Sequence, residues 1–383
     1  MDKFRDIRPY QDDEIRPVLD HILLDGEMLD SIARFYYPRL TRIFPEAMKN
    51  AASKKLREQV KTVHDVKSMQ DVIAGYMDKM IQDTTTELTN SGLEHLKDGR
   101  NYLFISNHRD ITMDPAFVNY MLYHAGHETL QIAIGDNLLK KPFVTDLMRL
   151  NKSFIVHRSL KGRELLQSLK LLSEYMHHCV SNGENVWIAQ REGRAKDGID
   201  KTDPALLKML AMGRRNLSLG ESLNSLNIVP VTISYEYDAC DMLKAKELYQ
   251  IETQGSFTKT DQSDIQSIVT GLIGFKGRVH VAFGEQLKFH SDNPDELAEI
   301  IDAQILENYV LSDSNFFALE KLKEDGLAPL HLLDDVLERR EISKANRRKF
   351  KKRSKAVDPN LYKHLLLGYA NPVINKLKSG FLV

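Results

Sequence analysis

Three patterns in the 383-residue chain predict an α/β protein with a mostly parallel sheet flanked by helices. Across residues 91–292, short apolar runs alternate with stretches of helical periodicity, as in strands joined by crossover helices. In residues 1–90 apolar residues recur at three- and four-residue intervals, and in 293–383 the same helical repeat returns. The expected organisation is a helical amino-terminal region (1–90), an α/β core (91–292) and a helical carboxy-terminal extension (293–383).

Each element follows from local pattern. In the first region, IRPVLDHILLDGEMLDSIARFYY and VKSMQDVIAGYMDKMIQDTTTEL carry the helical repeat, and few segments alternate like strands. Asn90, Ser91 and Gly92 break that pattern, and Asp98-Gly99 turns the chain into the core. Strands are expected at YLFIS, LQIAIG, SFIVH, NVWIAQ, IVPVTISYE and RVHVAFGE. Helices are expected between them, among others at DPAFVNYMLYHA, KKPFVTDLMRL and RELLQSLKLLSEYMHHCV. The extension reads as helices at NPDELAEIIDAQILENYVL, DDVLERREISKANRRKFKKRSKAV and NLYKHLLLGYANPVINKLK.

Composition removes several functions. A net charge of −1 supplies no global basic field for nucleic acid. The two cysteines, Cys179 and Cys240, build neither a disulfide framework nor a metal site, which suits a reducing compartment. No metal site is expected from the scattered histidines: His177 and His178 are helix neighbours that point apart. The amino terminus has charge where a signal peptide needs an apolar core, and no apolar run approaches the roughly 20 residues of a membrane span. The expectation is a cytoplasmic protein, soluble or lying on a surface.

The chemistry concentrates in SNHRDITMDPAF, Ser106 to Phe117. His-Arg-Asp opens a kinase catalytic loop, but that loop needs asparagine five residues after the aspartate, where this chain has Pro115. As a strand end, the stretch carries Asn107 and His108 out of the sheet, where functional groups of open α/β sheets gather. Asp114-Pro115 reads as an N-cap followed by proline at the first helical position. A histidine held there by a carboxylate can take a proton from a hydroxyl.

SNHRDITMDP resembles the first motif of the glycerolipid acyltransferases, the lysophosphatidate and glycerol-3-phosphate enzymes, in which Asn-His is followed after four residues by aspartate. Here five residues separate His108 from Asp114, so either the loop is one residue longer or Asp110 orients the ring; the Asp-Pro helix start favours Asp114. GDNLLKKPFVTDLMRLNKSFIVHR resembles the second block and puts Arg158 at the acceptor-phosphate position. VWIAQREGRAKDG resembles the third: Glu192 and Gly193 match, Ala189-Gln190 replaces Phe-Pro, and Arg194 comes one position early with Lys196 beyond it. NIVPVTISYE resembles the fourth, around Pro230.

The resemblance implies an O-acyltransferase that moves a fatty acyl group from acyl-CoA or acyl carrier protein to glycerol-3-phosphate or 1-acylglycerol-3-phosphate, in phospholipid biosynthesis. It implies His108 as general base with no covalent intermediate and no cofactor. Asn107, Arg158, Glu192, Gly193, Arg194 and Lys196 then serve the substrates, arginine suiting a phosphate through paired hydrogen bonds. Because two blocks depart from pattern, a catalytically inactive lipid-binding protein on the same fold stays open, as does another lyso-lipid acceptor.

Lipid substrates call for a docking surface. RRKFKKRSKA sets Arg347, Arg348, Lys349, Lys351, Lys352 and Arg353 around Phe350, a density of cations that suits anionic lipid. The expectation is peripheral association with the inner face of a membrane. The same charge suits an acidic acyl carrier protein.

Overall fold

The computed structural model describes residues 2–327, 343–355 and 357–381. The first part of the expected helix DDVLERREISKANRRKFKKRSKAV, residues 334–342, lies outside the described residues, as does Ala356 at the end of the basic run. The chain forms two compact units, one of residues 1–79 and 131–172, the other of 80–130 and 173–383.

The first unit is mainly helical, with α1 (Asp12–Ile22), α2 (Gly26–Tyr36), α3 (Pro45–Gln59) and most of α4 (Val66–Thr84). Asp25 caps α2 by accepting from the Met28 amide, and Pro45 opens α3. The apolar repeat of α1 buries Ile15, Leu19 and Ile22 in one cluster with Met28, Val60 and Leu150. The parallel pair β3 (Leu130–Gly135) and β4 (Ser153–Val156) completes this unit, Ile134 opposite Ile155. Strand β4 is reached through α6 (Pro142–Leu150).

The second unit holds β1 (Thr85–Ser91), β2 (Leu103–Ser106), β5 (Asn185–Ala189), β6 (Ile228–Tyr235) and β7 (Gly277–Phe283), in spatial order β1-β7-β6-β2-β5. All neighbours pair parallel except β6 and β7. Strands β2 and β6 are buried along their whole length, which explains why both read as continuous apolar runs rather than alternations. Phe104 faces Trp187 on one side and Val229 on the other.

The six expected strands are present. Strand β1 was not expected, because TTELTNS is polar and mostly exposed; it pairs its backbone with β7 and buries almost no side chain. Around the sheet of this unit stand, among others, α5 (Met113–His124), α10 (Asp241–Gln254), α11 (Asp261–Ile273), α12 (Pro294–Glu307) and α13 (Asp313–Glu324). The extension ends in α14 (Lys344–Ser354) and α15 (Pro359–Lys378), which pack with α13 around Phe316, Phe317, Phe350 and Tyr369. No helix among the described residues is long and apolar enough to cross a membrane.

Candidate active site

Strand β2 ends at Ser106, and the next six residues turn over its carboxyl end into α5. His108 Nδ1 lies 2.8 Å from Asp114 Oδ2. That oxygen also accepts from the Arg109 amide (2.6 Å) and the Asp110 amide (2.9 Å), while Oδ1 accepts from the Tyr235 hydroxyl at 2.7 Å. A carboxylate has about four acceptor positions, and those of Asp114 are filled from four directions. Its side chain is fully buried, so it holds the imidazole in one place and one tautomer. Burial, reinforced by the charge of Asp114, pushes the Tyr235 hydroxyl well above its usual titration range, so it stays protonated and donates.

The two aspartates divide the work differently from the expected helix start. The N-cap position belongs to Thr112, and Asp114 sits inside the first turn. Asp110 performs the capping, its Oδ1 accepting from the Thr112 and Met113 amides at 3.0 Å each. Asp114 is thereby released from the helix end to serve His108. Burial, and then the neighbouring charge of Asp114, raises the Asp110 carboxyl above the ordinary carboxylate range.

The remaining face of His108 is open. Its side chain is 14% exposed, and Nε2 has no hydrogen-bond partner among the described residues. Trp187, in β5, meets the ring edge-on with centroids 6.0 Å apart and donates its Nε1–H to Ser106 Oγ at 3.0 Å. The sequence marks Trp187 only as core. Its packing against the imidazole is a tertiary fact.

The turn at 190–200 is laced to this motif. The Gln190 amide donates to the Ser106 carbonyl (2.8 Å), and the Ala195 amide donates to the His108 carbonyl (2.7 Å). Arg109 donates to the Gly198 carbonyl (3.1 Å) and to Asp200 Oδ2 (2.6 Å). Burial works against the Arg109 charge, but Asp200 prevails and holds its pKa above the ordinary arginine value. Gly193 has φ +78°, the left-handed region that a side chain disfavours, and this turn sends Arg194 inward. Arg194 is 8% exposed and donates from Nη2 to Ser267 Oγ in α11 at 3.0 Å. Its buried Nη1 has no hydrogen-bond partner among the described residues. A buried cationic donor left open beside the motif is suited to an anion.

Other expected site residues fall into place less directly. Asn107 is fully buried and uses its amide on β6, donating to the Ile233 carbonyl (3.1 Å) and accepting from the Ile233 amide (2.8 Å). It clamps two strand ends and has no surface to offer a substrate. Lys196 is paired with Glu247 at 2.5 Å, and Glu192 is exposed. Arg158 belongs to the other unit, two residues past β4; its amide donates to Asp136 Oδ1 at 3.1 Å and its side chain crosses close over Gly135.

The expected docking run is divided by its own helix. Phe350 is 1% exposed, with its ring 5.2 Å from Phe317 and 5.1 Å from Tyr369, so it is core and not available to lipid. Arg353 donates to Asp241 (2.6 Å) and to the Asp238 carbonyl (2.7 Å), and Arg347 pairs with Glu320. Both turn inward. Arg348, Lys349, Lys351 and Lys352 remain exposed.

Residues 87–234, which contain the whole motif, match the model of the Acyltransferase family. Curated relatives include a glycerol-3-phosphate acyltransferase of Pseudomonas fluorescens (strain SBW25), 29% identical over 56% of this chain. Another is the glycerol-3-phosphate acyltransferase of Baumannia cicadellinicola, 28% identical over 49% of this chain. The match spans only 23% and 22% of the length of those two proteins. A solved structure, the 1-acyl-sn-glycerophosphate (LPA) acyltransferase PlsC from Thermotoga maritima, is 15% identical with a TM-score of 0.37, covering 62% of this chain and 78% of that one.

Proposed function

We propose, from the Acyltransferase-family domain at residues 87–234, that the chain is an O-acyltransferase that esterifies a phosphate-bearing glycerol. The observation that carries the reading is the His108–Asp114 contact with Nε2 left open. In the reaction, Nε2 takes the proton from an acceptor hydroxyl as its oxygen attacks the carbonyl carbon of an acyl thioester. Asp114 stabilises the imidazolium that results. The tetrahedral adduct collapses, the carbon–sulfur bond breaks, and the leaving thiolate recovers the proton from the ring. Atoms balance with no covalent acyl-enzyme and no cofactor, the thioester entering as substrate.

Arg194 supports a phosphate-bearing acceptor, because its unengaged Nη1 needs an anion more than a neutral alcohol does. Glycerol-3-phosphate is the acceptor favoured by the names of the curated relatives, with 1-acylglycerol-3-phosphate as the alternative. The donor is acyl-CoA or acyl carrier protein, and the setting is the inner face of a membrane, reached peripherally. Mass spectrometry of products from the purified chain, offered both donors and both acceptors, tests the assignment. An ester on one acceptor supports it, and release of free fatty acid alone from every mixture contradicts it.

A further inference from the structure

Arg194 is held differently from the cations around it. Arg109 pairs with Asp200, Lys196 with Glu247 and Lys244 with Asp238, each a largely buried charge met by a carboxylate. Arg194 makes no ion pair among the described residues; its side chain is fixed there by the hydrogen bond from Nη2 to the Ser267 hydroxyl at 3.0 Å. Ser267 is 5% exposed and lies in α11, beyond the residues 87–234 that match the family model. A hydroxyl sets the direction of the guanidinium and leaves its charge uncancelled. A carboxylate in its place would bind the arginine tightly and compete with an incoming anion.

The position of Ser267 is set by the same loop that carries His108. The Cys240 thiol donates to the Ser267 carbonyl at 3.4 Å and lies 3.9 Å from Asp110 Oδ2. Burial pushes that thiol up to about 12, so it stays protonated. One turn beyond Ser267, Gly271 is so close to Asp110 that an added Cβ would sit 2.2 Å from Oδ2. A side chain at 271 would therefore crowd α11 off the loop and carry Ser267 with it. Asp110 also caps α5, the helix in which Asp114 sits. The hydroxyl that aims Arg194 and the carboxylate that aims His108 are thus registered to each other through Asp110.

We propose that Ser267 is a positioning residue for the acceptor's phosphate, holding Arg194 with its charge free and Nη1 open to a phosphate monoester. The proposal rests on the acyl-transfer reading for its choice of ligand. It extends the acceptor site past the family-matched segment, to a helix that makes no contact of its own with the imidazole.

Steady-state kinetics with glycerol-3-phosphate and 1-acylglycerol-3-phosphate, beside calorimetric binding of the same acceptors without thioester, test this on proteins whose thermal melts match. Ser267→Ala should raise the acceptor KM and weaken acceptor binding about tenfold, with kcat falling by less than about threefold. Ser267→Thr, which keeps the hydroxyl, should lie nearer the wild type than the alanine variant. An alanine variant with unchanged acceptor KM and binding, or one whose kcat falls as steeply as kcat/KM, overturns the proposal. Ester formation by the wild type with no effect of alanine removes the role of Ser267 alone. Acceptor binding that alanine weakens, in a chain that forms no ester, supports Ser267 and removes the acyl-transfer reading alone. A wild type that binds neither acceptor and forms no ester removes both.

Discussion

The Asp110 and Asp114 side chains lie four residues apart and do different jobs, which makes them separable by mutation. Asp114→Ala strips the acceptor from His108, Tyr235 and two backbone amides. Leaving that many buried donors unmatched costs about 3 kcal/mol or more, so both kcat and the thermal midpoint should fall. Asp110→Ala removes a helix cap, worth about 1 kcal/mol, and should lower the midpoint modestly while the His108–Asp114 contact persists and kcat changes little. Steady-state kinetics beside thermal melts reads the difference. A larger kcat loss in the Asp110 variant would reverse the assignment. The pairing of His108 with an acid was legible in the sequence because strand end, histidine and helix start fall within one short stretch. The division of labour was not, since an Asp-Pro dipeptide looks like a cap whichever way the loop turns. Tyr235 and Trp187 reach the site from other strands, and no local pattern announces such contacts.

At the scale of elements, the extension behaves as part of the fold. Phe350 sits in the aromatic cluster of α13, α14 and α15, so Phe350→Ala should cost about 3–5 kcal/mol. Denaturant unfolding checks this; a midpoint unchanged from wild type would mean the ring is not core. The basic run misleads at sequence level because its inward residues are also cationic: Arg347 and Arg353 find Glu320 and Asp241, partners far along the chain. Helical spacing places Phe350 on the opposite side from Arg348 and Lys352, and that spacing was the available signal. Buried strands such as β2 and β6 were readable as apolar runs. Strand β1 was not, because an edge strand that buries little writes no hydrophobic period; its threonines were the only hint.

For the whole molecule, a buried histidine ties stability to pH. His177 is 3% exposed, and burial pushes its pKa down from 6.5 to about 4. Between those values the unfolded chain binds a proton that the folded chain refuses, so this group's contribution is full above pH 6.5 and drains as pH falls towards 4. The stability difference between wild type and His177→Gln should therefore shrink across that window and stay flat above it, as read from denaturation midpoints at several pH values. The assembly of the chain into units that are discontinuous in sequence, with residues 131–172 grouped with 1–79, leaves no local trace, because contact partners are chosen by packing. What was legible at this scale is the layer type, which follows from the order of strand and helix patterns. The proposed transfer turns on one imidazole, and the most direct measurement is ester formation from an acyl thioester and glycerol-3-phosphate by the wild type and by His108→Ala at matched folding. Turnover is expected from the wild type, with a loss of about a hundred- to ten-thousand-fold in the variant. Equal rates from the two proteins would contradict it.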